Sequence, residues 1–121
     1  MPLVIIHTSA KEQTDQLQHH LPKIKTLCAK KLSCGDRDLN DSEISIRVIE
    51  SSESAPIAAI EIMITAFSYK ERVEQQDKIC LEIKLAILEM LPEADLFVWL
   101  QLLTAKQHRI WNPDWKVSIQ I

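Results

Sequence analysis

The apolar residues of this chain follow the same order of spacings twice. A run with the composition of a strand comes first, then a helical stretch with apolar residues three and four apart, then a second strand-like run. The first unit covers residues 2–50 and the second covers residues 56–103, and a proline leads each of them. Such a repeat limits the available folds, because each unit places two parallel strands side by side with its helix packed over them.

The first unit predicts two strands and one main helix. Strand one covers residues 2–8, where the leading proline is tolerated because it occupies the first strand position. A capping box formed by Ser9 and Glu12 predicts a first helical turn. The main helix is expected to begin near Pro22, since proline suits the first turn of a helix. Strand two covers residues 44–49, which alternate with a period of two.

The second unit predicts strand three at residues 57–64, a single helix at 70–91 and strand four at 96–103. A tail, 104–121, follows the second unit. It ends in an alternating run that predicts a short fifth strand at 116–121. The repeat is therefore complete before the tail begins.

These elements predict one α/β (α+β) domain over residues 1–121, with a four-stranded sheet and both helices on one face. The other face of the sheet is rich in Ile, Val and Leu, and neither unit supplies a cover for it. In a chain of this length, further copies of the same chain are the expected cover. We therefore expect a symmetric oligomer.

Composition excludes several kinds of partner. Apolar residues make up 46% of the chain and charged residues 26%, as in ordinary globular proteins. The net charge of -3 and the scattered Lys and Arg give no basic surface for nucleic acid. No apolar run approaches the ~20 residues of a membrane-spanning helix. Three cysteines without a CxxC pair, and no signal peptide ahead of them, indicate a reducing, cytoplasmic compartment.

No cofactor or metal is expected. The chain has a single glycine, which excludes glycine-rich nucleotide loops. His19 and His20 are adjacent, and on a helix adjacent side chains point in different directions, so the two cannot share a metal ion. Any chemistry must therefore come from the amino acids themselves.

Several stretches of the chain resemble the tautomerase superfamily. Residues 1–8, Met-Pro-Leu-Val-Ile-Ile-His-Thr, are similar to the opening of macrophage migration inhibitory factor and of 5-carboxymethyl-2-hydroxymuconate isomerase, and the Leu-Pro step at 21–22 is similar to the latter. Residues 45–49, Ser-Ile-Arg-Val-Ile, resemble the second strand of 4-oxalocrotonate tautomerase, and 110–112, Ile-Trp-Asn, resemble the C-terminal Trp-Asn of macrophage migration inhibitory factor. A second arginine that the oxalocrotonate enzymes carry after strand one is absent; Lys11 and Glu12 stand there instead.

The resemblance implies a cofactor-independent keto–enol tautomerase or isomerase, assembled as a homotrimer and acting on a small enolisable keto acid. Pro2 is the implied general base. Once Met1 is removed it presents a secondary amine with an ordinary pKa near ~8, and apolar surroundings disfavour its charged form. Arg47 is the implied ligand of the substrate carboxylate or carbonyl. The alternatives are that Pro2 only begins a strand and that Arg47 is a solvated residue of an edge strand.

Five further residues are candidate substrate contacts. Lys11, Arg72 and Arg109 could bind an anion, although charges near helix starts and loops are commonly just solvated. Phe97 and Trp111 could wall an apolar pocket; core packing and anchoring of the tail are the alternatives. Trp99, two residues beyond Phe97 on strand four, lies in the same aromatic region, and core packing is its alternative too.

Two other functions remain open. A catalytically inactive protein that keeps the fold could serve as a binding or interaction module. A decarboxylase or dehalogenase of the same superfamily would use a protonated Pro2.

Overall fold

The computed structural model describes residues 2–34, 38–51 and 56–104. Within these ranges the elements, in chain order, are β1 (Leu3–Thr8), α1 (Lys11–Gln18), α2 (Leu21–Leu32), β2 (Ser45–Glu50), β3 (Ile60–Phe67), α3 (Lys70–Glu74), α4 (Gln76–Met90) and β4 (Leu96–Leu103). A short 3₁₀ turn, Asp41–Glu43, leads into β2. The predicted fifth strand at 116–121 lies outside the described residues.

The four strands form one mixed sheet in the order β2-β1-β3-β4. β1 pairs with β2 in parallel, and β3 pairs with β4 in parallel. The two units meet where β1 and β3 run antiparallel. The predicted α+β architecture of two consecutive strand–helix–strand units is confirmed.

Buried and less buried side chains alternate along the strands, and the buried ones lie on the face of the sheet that the helices cover. Val4 and Ile6 of β1 and Ile62 and Ile64 of β3 are fully buried. They belong to one hydrophobic core together with buried residues of α2 and α4 (Ile24, Cys28, Leu32, Ile79, Ile83 and Ile87). Because successive strand residues point to opposite faces, the residues between them face away from the helices.

The start of α1 corrects the predicted capping box. Ala10 is extended, with φ -152° and ψ 154°, and it precedes the first helical residue. The third residue of the helix is therefore Gln13, whose Oε1 accepts the backbone N–H groups of Ser9 and Ala10, each at 3.1 Å. The prediction of Glu12 as the capping-box acceptor was wrong by one position, because the chain stays extended one residue longer than the pattern suggested.

The predicted single helix at 70–91 is two helices. The chain leaves helical geometry at Gln75, with φ -107° and ψ 13°, between α3 and α4. One non-helical residue hardly disturbs the spacing of apolar positions, so the periodicity could not reveal this break.

Strand β3 begins at Ile60 instead of residue 57. The backbone N–H of Ile57 donates to Glu61 Oε1 at 2.9 Å, and that of Ala59 donates to Asp95 Oδ2 at 3.1 Å. These two backbone N–H groups therefore donate to side-chain carboxylates instead of to the carbonyls of a neighbouring strand. The apolar composition of this segment indicated a strand, but its hydrogen bonds make it a bend.

Cys28 is expected to resist alkylation in the native protein. Its side chain is fully buried under the sheet, and burial raises the pKa of the thiol to about 12. The reactive thiolate is therefore scarce at neutral pH, and labelling by iodoacetamide should be at least about 10²-fold slower than in urea. Peptide mass spectrometry checks this, with the half-buried Cys34 as internal comparison. Equal labelling of Cys28 in the native and unfolded protein would contradict the prediction.

Candidate functional site

The face of the sheet turned away from the helices, here called the open face, carries the candidate residues in cross-strand rows. Strand register defines the rows, each read from β2 through β1 and β3 to β4. The first row is Ser45, Leu3, Thr65 and Gln101; the second is Arg47, Ile5, Met63 and Trp99; the third is Ile49, His7, Glu61 and Phe97. Residues that are far apart in sequence therefore lie side by side.

Pro2 lies just before the first row, where β1 begins. The residue is buried, and its carbonyl oxygen accepts the backbone N–H of Ser45 at 3.1 Å. Ile44, the neighbour of Ser45, is 2% exposed. The backbone of Pro2 is thus hydrogen-bonded to the start of β2, one residue from the buried Ile44.

Arg47 lies on the open face of β2, an edge strand. It is exposed, and no hydrogen bond or ion pair involves its side chain within the described ranges. Its register partner in β1 is Ile5, three residues beyond Pro2, so the two backbones are offset by about 10 Å along the strand. The guanidinium is available to a ligand, but not directly beside Pro2.

Lys11 and Phe97 lie at the opposite end of β1 from Pro2. Phe97 is in the row of His7, which is five residues, or about 17 Å, from Pro2 along the strand. Lys11 is exposed and begins α1, beyond the end of β1. One small molecule held at Pro2 cannot touch either residue of the same chain.

Arg72 has a structural position. It is 2% exposed, its Nε donates to the carbonyl of Leu32 at 3.0 Å and its Nη1 donates to the carbonyl of Phe67 at 3.1 Å. The guanidinium carbon lies 4.8 Å from the centre of the Tyr69 ring, a cation–π contact. Arg72 therefore joins the end of α2 to the end of β3, which is a different role from the anion contact expected from sequence.

Arg109 and Trp111 lie outside the described residues, so their expected contacts with substrate stay predictions.

A cavity of about 350 Å³ opens on the third-row end of the open face. His7, Glu61, Met63 and Trp99 contribute to its wall. Sequence reasoning had singled out Trp99 together with Phe97 but missed His7 and Glu61. Their alternating strand positions were visible, but which two residues would face each other depends on register.

The described residues include no group of three or more His, Cys, Asp or Glu side chains that could hold a metal ion. Of the helices in the described ranges, none combines the length and the apolar character needed to cross a lipid bilayer.

By sequence, no protein-family model and no curated protein matches this chain. By structure, it is similar to a macrophage migration inhibitory factor-like protein from Entamoeba histolytica, with TM-score 0.60 and 14% identity over 93% of this chain and 95% of that one. A fused 4-OT symmetric trimer gives TM-score 0.61 and 14% identity over 90% and 93% of the two chains. A protein of unknown function from Vibrio cholerae gives TM-score 0.63 and 13% identity over 90% and 83%. At these identities the likeness establishes the fold.

Proposed function

Because this chain has the fold of the tautomerase superfamily, we propose that it is a cofactor-independent keto–enol tautomerase acting on a small enolisable keto acid. The observation that carries the proposal is the position of Pro2. Pro2 directly precedes β1, it is buried, and its carbonyl accepts the backbone N–H of Ser45. Once Met1 is removed, this geometry holds a secondary amine at a defined place on the sheet.

The amine of Pro2 acts as the general base. An α-amino group has an ordinary pKa near ~8, and an apolar setting shifts the balance toward its uncharged form. The free amine takes a proton from oxygen or carbon of the enol–keto system and returns it at the other position, so no net change in atoms occurs. Burial of the residue supports this role because it limits hydration of the ammonium form.

Arg47 binds the carboxylate or the carbonyl oxygen of the substrate. The guanidinium is exposed and has no ion pair among the described side chains, and its planar fork of donors fits a carboxylate. The offset of about 10 Å from Pro2 of the same chain suits an extended keto acid, or an Arg47 supplied by a neighbouring copy.

We extend the proposal to a homotrimer. The open face leaves Ile49 43% exposed and Met63 36% exposed, an apolar surface that further copies can cover. The similar fused 4-OT structure is described as a symmetric trimer. In such an assembly Lys11 and Phe97 reach a Pro2 site from another copy, and Arg109 and Trp111 remain candidate contacts there.

A second candidate is a binding protein that keeps the fold without catalysis. The observation that favours it is the wide spacing of the candidate residues: within one chain, neither Lys11 nor Phe97 lies near Pro2. One measurement distinguishes this candidate from the enzyme. An enzyme turns over substrate when its Pro2 amine is free, whereas a binding protein does not.

The first experiment combines intact mass with a rate assay. Mass spectrometry identifies protein that begins at Pro2, and absorbance follows ketonisation of phenylenolpyruvate and 2-hydroxymuconate. Turnover by that protein supports the enzyme. If fully processed protein turns over neither enol, these two compounds are excluded as substrates and the binding protein is favoured.

Arg47→Ala is expected to lower kcat/KM by about 10²-fold, because the substrate loses a charged donor pair that stabilises developing negative charge. Arg47→Lys should recover only part of the rate, since an ammonium lacks the planar fork. Lys23→Ala, which removes an exposed cation on α2, is the matched control and should leave the rate unchanged. Equal rates for Arg47→Ala and Lys23→Ala would exclude Arg47 from substrate binding.

A further inference from the structure

The outward side of α4 carries two exposed leucines. Leu81 is 55% exposed and Leu85 is 52% exposed, whereas Ile83 and Ile87 of the same helix are buried in the core. At about 100° per residue, both leucines point about 160° away from Ile83, and residues four apart are neighbours on a helix surface. The two side chains therefore form one apolar strip that faces away from the sheet. An assembly that covers the open face does not cover this strip, and the Pro2 site does not include it.

Two opposite charges lie on one flank of the strip. Asp77 and Lys84 are about two helical turns apart, so they share a flank, but about 10 Å of helix axis separates them. This is farther than the three- or four-residue spacing at which helical side chains pair. Neither side chain forms an ion pair within the described ranges. Both charges are therefore available to a neighbouring molecule.

A second α4 laid antiparallel on the strip matches these charges. When two identical helices pair about a two-fold axis perpendicular to them, each flank faces the same flank of the other copy. With the axis beside Leu81, Asp77 lies opposite Lys84 of the second copy, and Lys84 lies opposite Asp77 of the second copy. The same register packs Leu81 against its own counterpart. The strip therefore complements itself.

The remaining charges favour the same register. On the other flank it places Lys78 opposite Glu82 of the second copy. Within one chain these two side chains are 4.0 Å apart and Lys78 is 68% exposed, so its ammonium can reach a second carboxylate. An axis beside Leu85 would instead bring the two Lys84 side chains together, and like charges that face each other are unfavourable.

From this arrangement we propose that α4 is a contact surface between two copies of this chain, paired antiparallel about a two-fold axis beside Leu81. The partner is a second copy because one register joins leucine to leucine and each charge to its opposite on both flanks. One helix pair is smaller than the ~1,200 Å² that stable interfaces bury. Where the open faces hold three copies together, as proposed above, three such contacts between two trimers add their strengths and give a hexamer. The contact uses no residue assigned to the tautomerase reaction.

The test is the mass of the native protein by analytical ultracentrifugation at several concentrations, because weak contacts dissociate on dilution. Leu81→Glu places a charge in the strip, and we expect the parent to have twice the mass of this variant. The factor of two does not depend on the trimer, since without a trimer the parent is a dimer and the variant a monomer. Gln18→Glu adds the same charge at an exposed position of α1 and should keep the parent mass.

Exchanging the charges on one flank tests the register. Asp77→Lys and Lys84→Asp each place like charges opposite each other, so each alone is expected to give the lower mass. The double variant restores opposite charges in the antiparallel pair and should recover the parent mass. In a parallel pair the new charges would face Lys78 and Glu82 of the second copy, which have the same sign, and the mass would stay low.

Two results would overturn the proposal. They are a parent with the same mass as Leu81→Glu at every concentration, and a double variant that keeps the mass of its single variants. A parent of three chains with an equally heavy Leu81→Glu would support the trimer and exclude this contact. Activity is a separate readout, because Leu81→Glu leaves the Pro2 site unchanged and should ketonise enols at the parent rate. Absence of turnover with the twofold difference in mass intact would count against the tautomerase proposal alone.

Discussion

One extra residue ahead of Pro2 is expected to lower the ketonisation rate by about 10²–10⁴-fold, the usual contribution of a general base. The extension converts the secondary amine into an amide, which has no basic lone pair. The pyrrolidine ring and the hydrogen bond from Ser45 N–H to the Pro2 carbonyl stay in place. The change therefore removes the base with little effect on the fold.

The measurement is kcat/KM for protein that begins at Pro2 and for the extended protein, with both N-termini verified by mass. The rate of the processed protein should rise with pH through the pKa of its amine, because the base acts in its unprotonated form. Pro22→Ala, at an exposed position in the first turn of α2, is the control and should keep the parent rate. If the extended and processed proteins turn over equally fast, Pro2 is not the base.

Arg72→Met is expected to lower the free energy of unfolding by about 3 kcal/mol. The methionine keeps an unbranched apolar stem but cannot donate to the carbonyls of Leu32 and Phe67. Hydrogen bonds from a charged donor contribute roughly 1.5–3 kcal/mol each, and the buried carbonyls would lose these partners. The variant should also loosen the connection between the two strand–helix–strand units, since Leu32 belongs to the first and Phe67 to the second.

Urea unfolding checks this prediction. The dependence of the unfolding free energy on urea concentration (the m value) should be the same in the variant and the parent. Lys70→Met is the matched control: it removes a cation that is 90% exposed from the same helix, α3, and should change stability by less than about 0.5 kcal/mol. The experiment also separates the two roles considered for Arg72. An unchanged stability together with a raised KM would restore Arg72 as a substrate contact and contradict its structural role.

The order of elements followed from the sequence because hydrophobic periodicity is a local property. Strand β4 was predicted with its observed bounds, residues 96–103, and β1 and β2 to within one residue. The two units could be predicted for the same reason. The spacing of apolar residues changes from that of a strand to that of a helix between each strand and the helix that follows it. The bends at Gln75 and residues 57–59 were missed, because a single non-helical residue and two carboxylate acceptors leave no mark on periodicity.

The candidate site was only partly predictable. Pro2 and Arg47 could be named because residues 1–8 and 45–49 resemble stretches of the tautomerase superfamily, but neither stretch states how far apart the two residues lie. The same limit applies to Phe97, which strand order places at the far end of β1 from Pro2.

The sequence by itself determined which segments are strands and helices, and that they form two successive units, since both depend on residues close together in the chain. Only the tertiary structure decided that β1 and β3 are antiparallel neighbours. That pairing sets the rows of the open face, placing Glu61 between His7 and Phe97. It also brings α2 and β3 near enough for Arg72 to bind both. Register and packing involve residues far apart in the chain, such as Leu32 and Arg72, which are 40 positions apart, and a local pattern carries no information about such pairs.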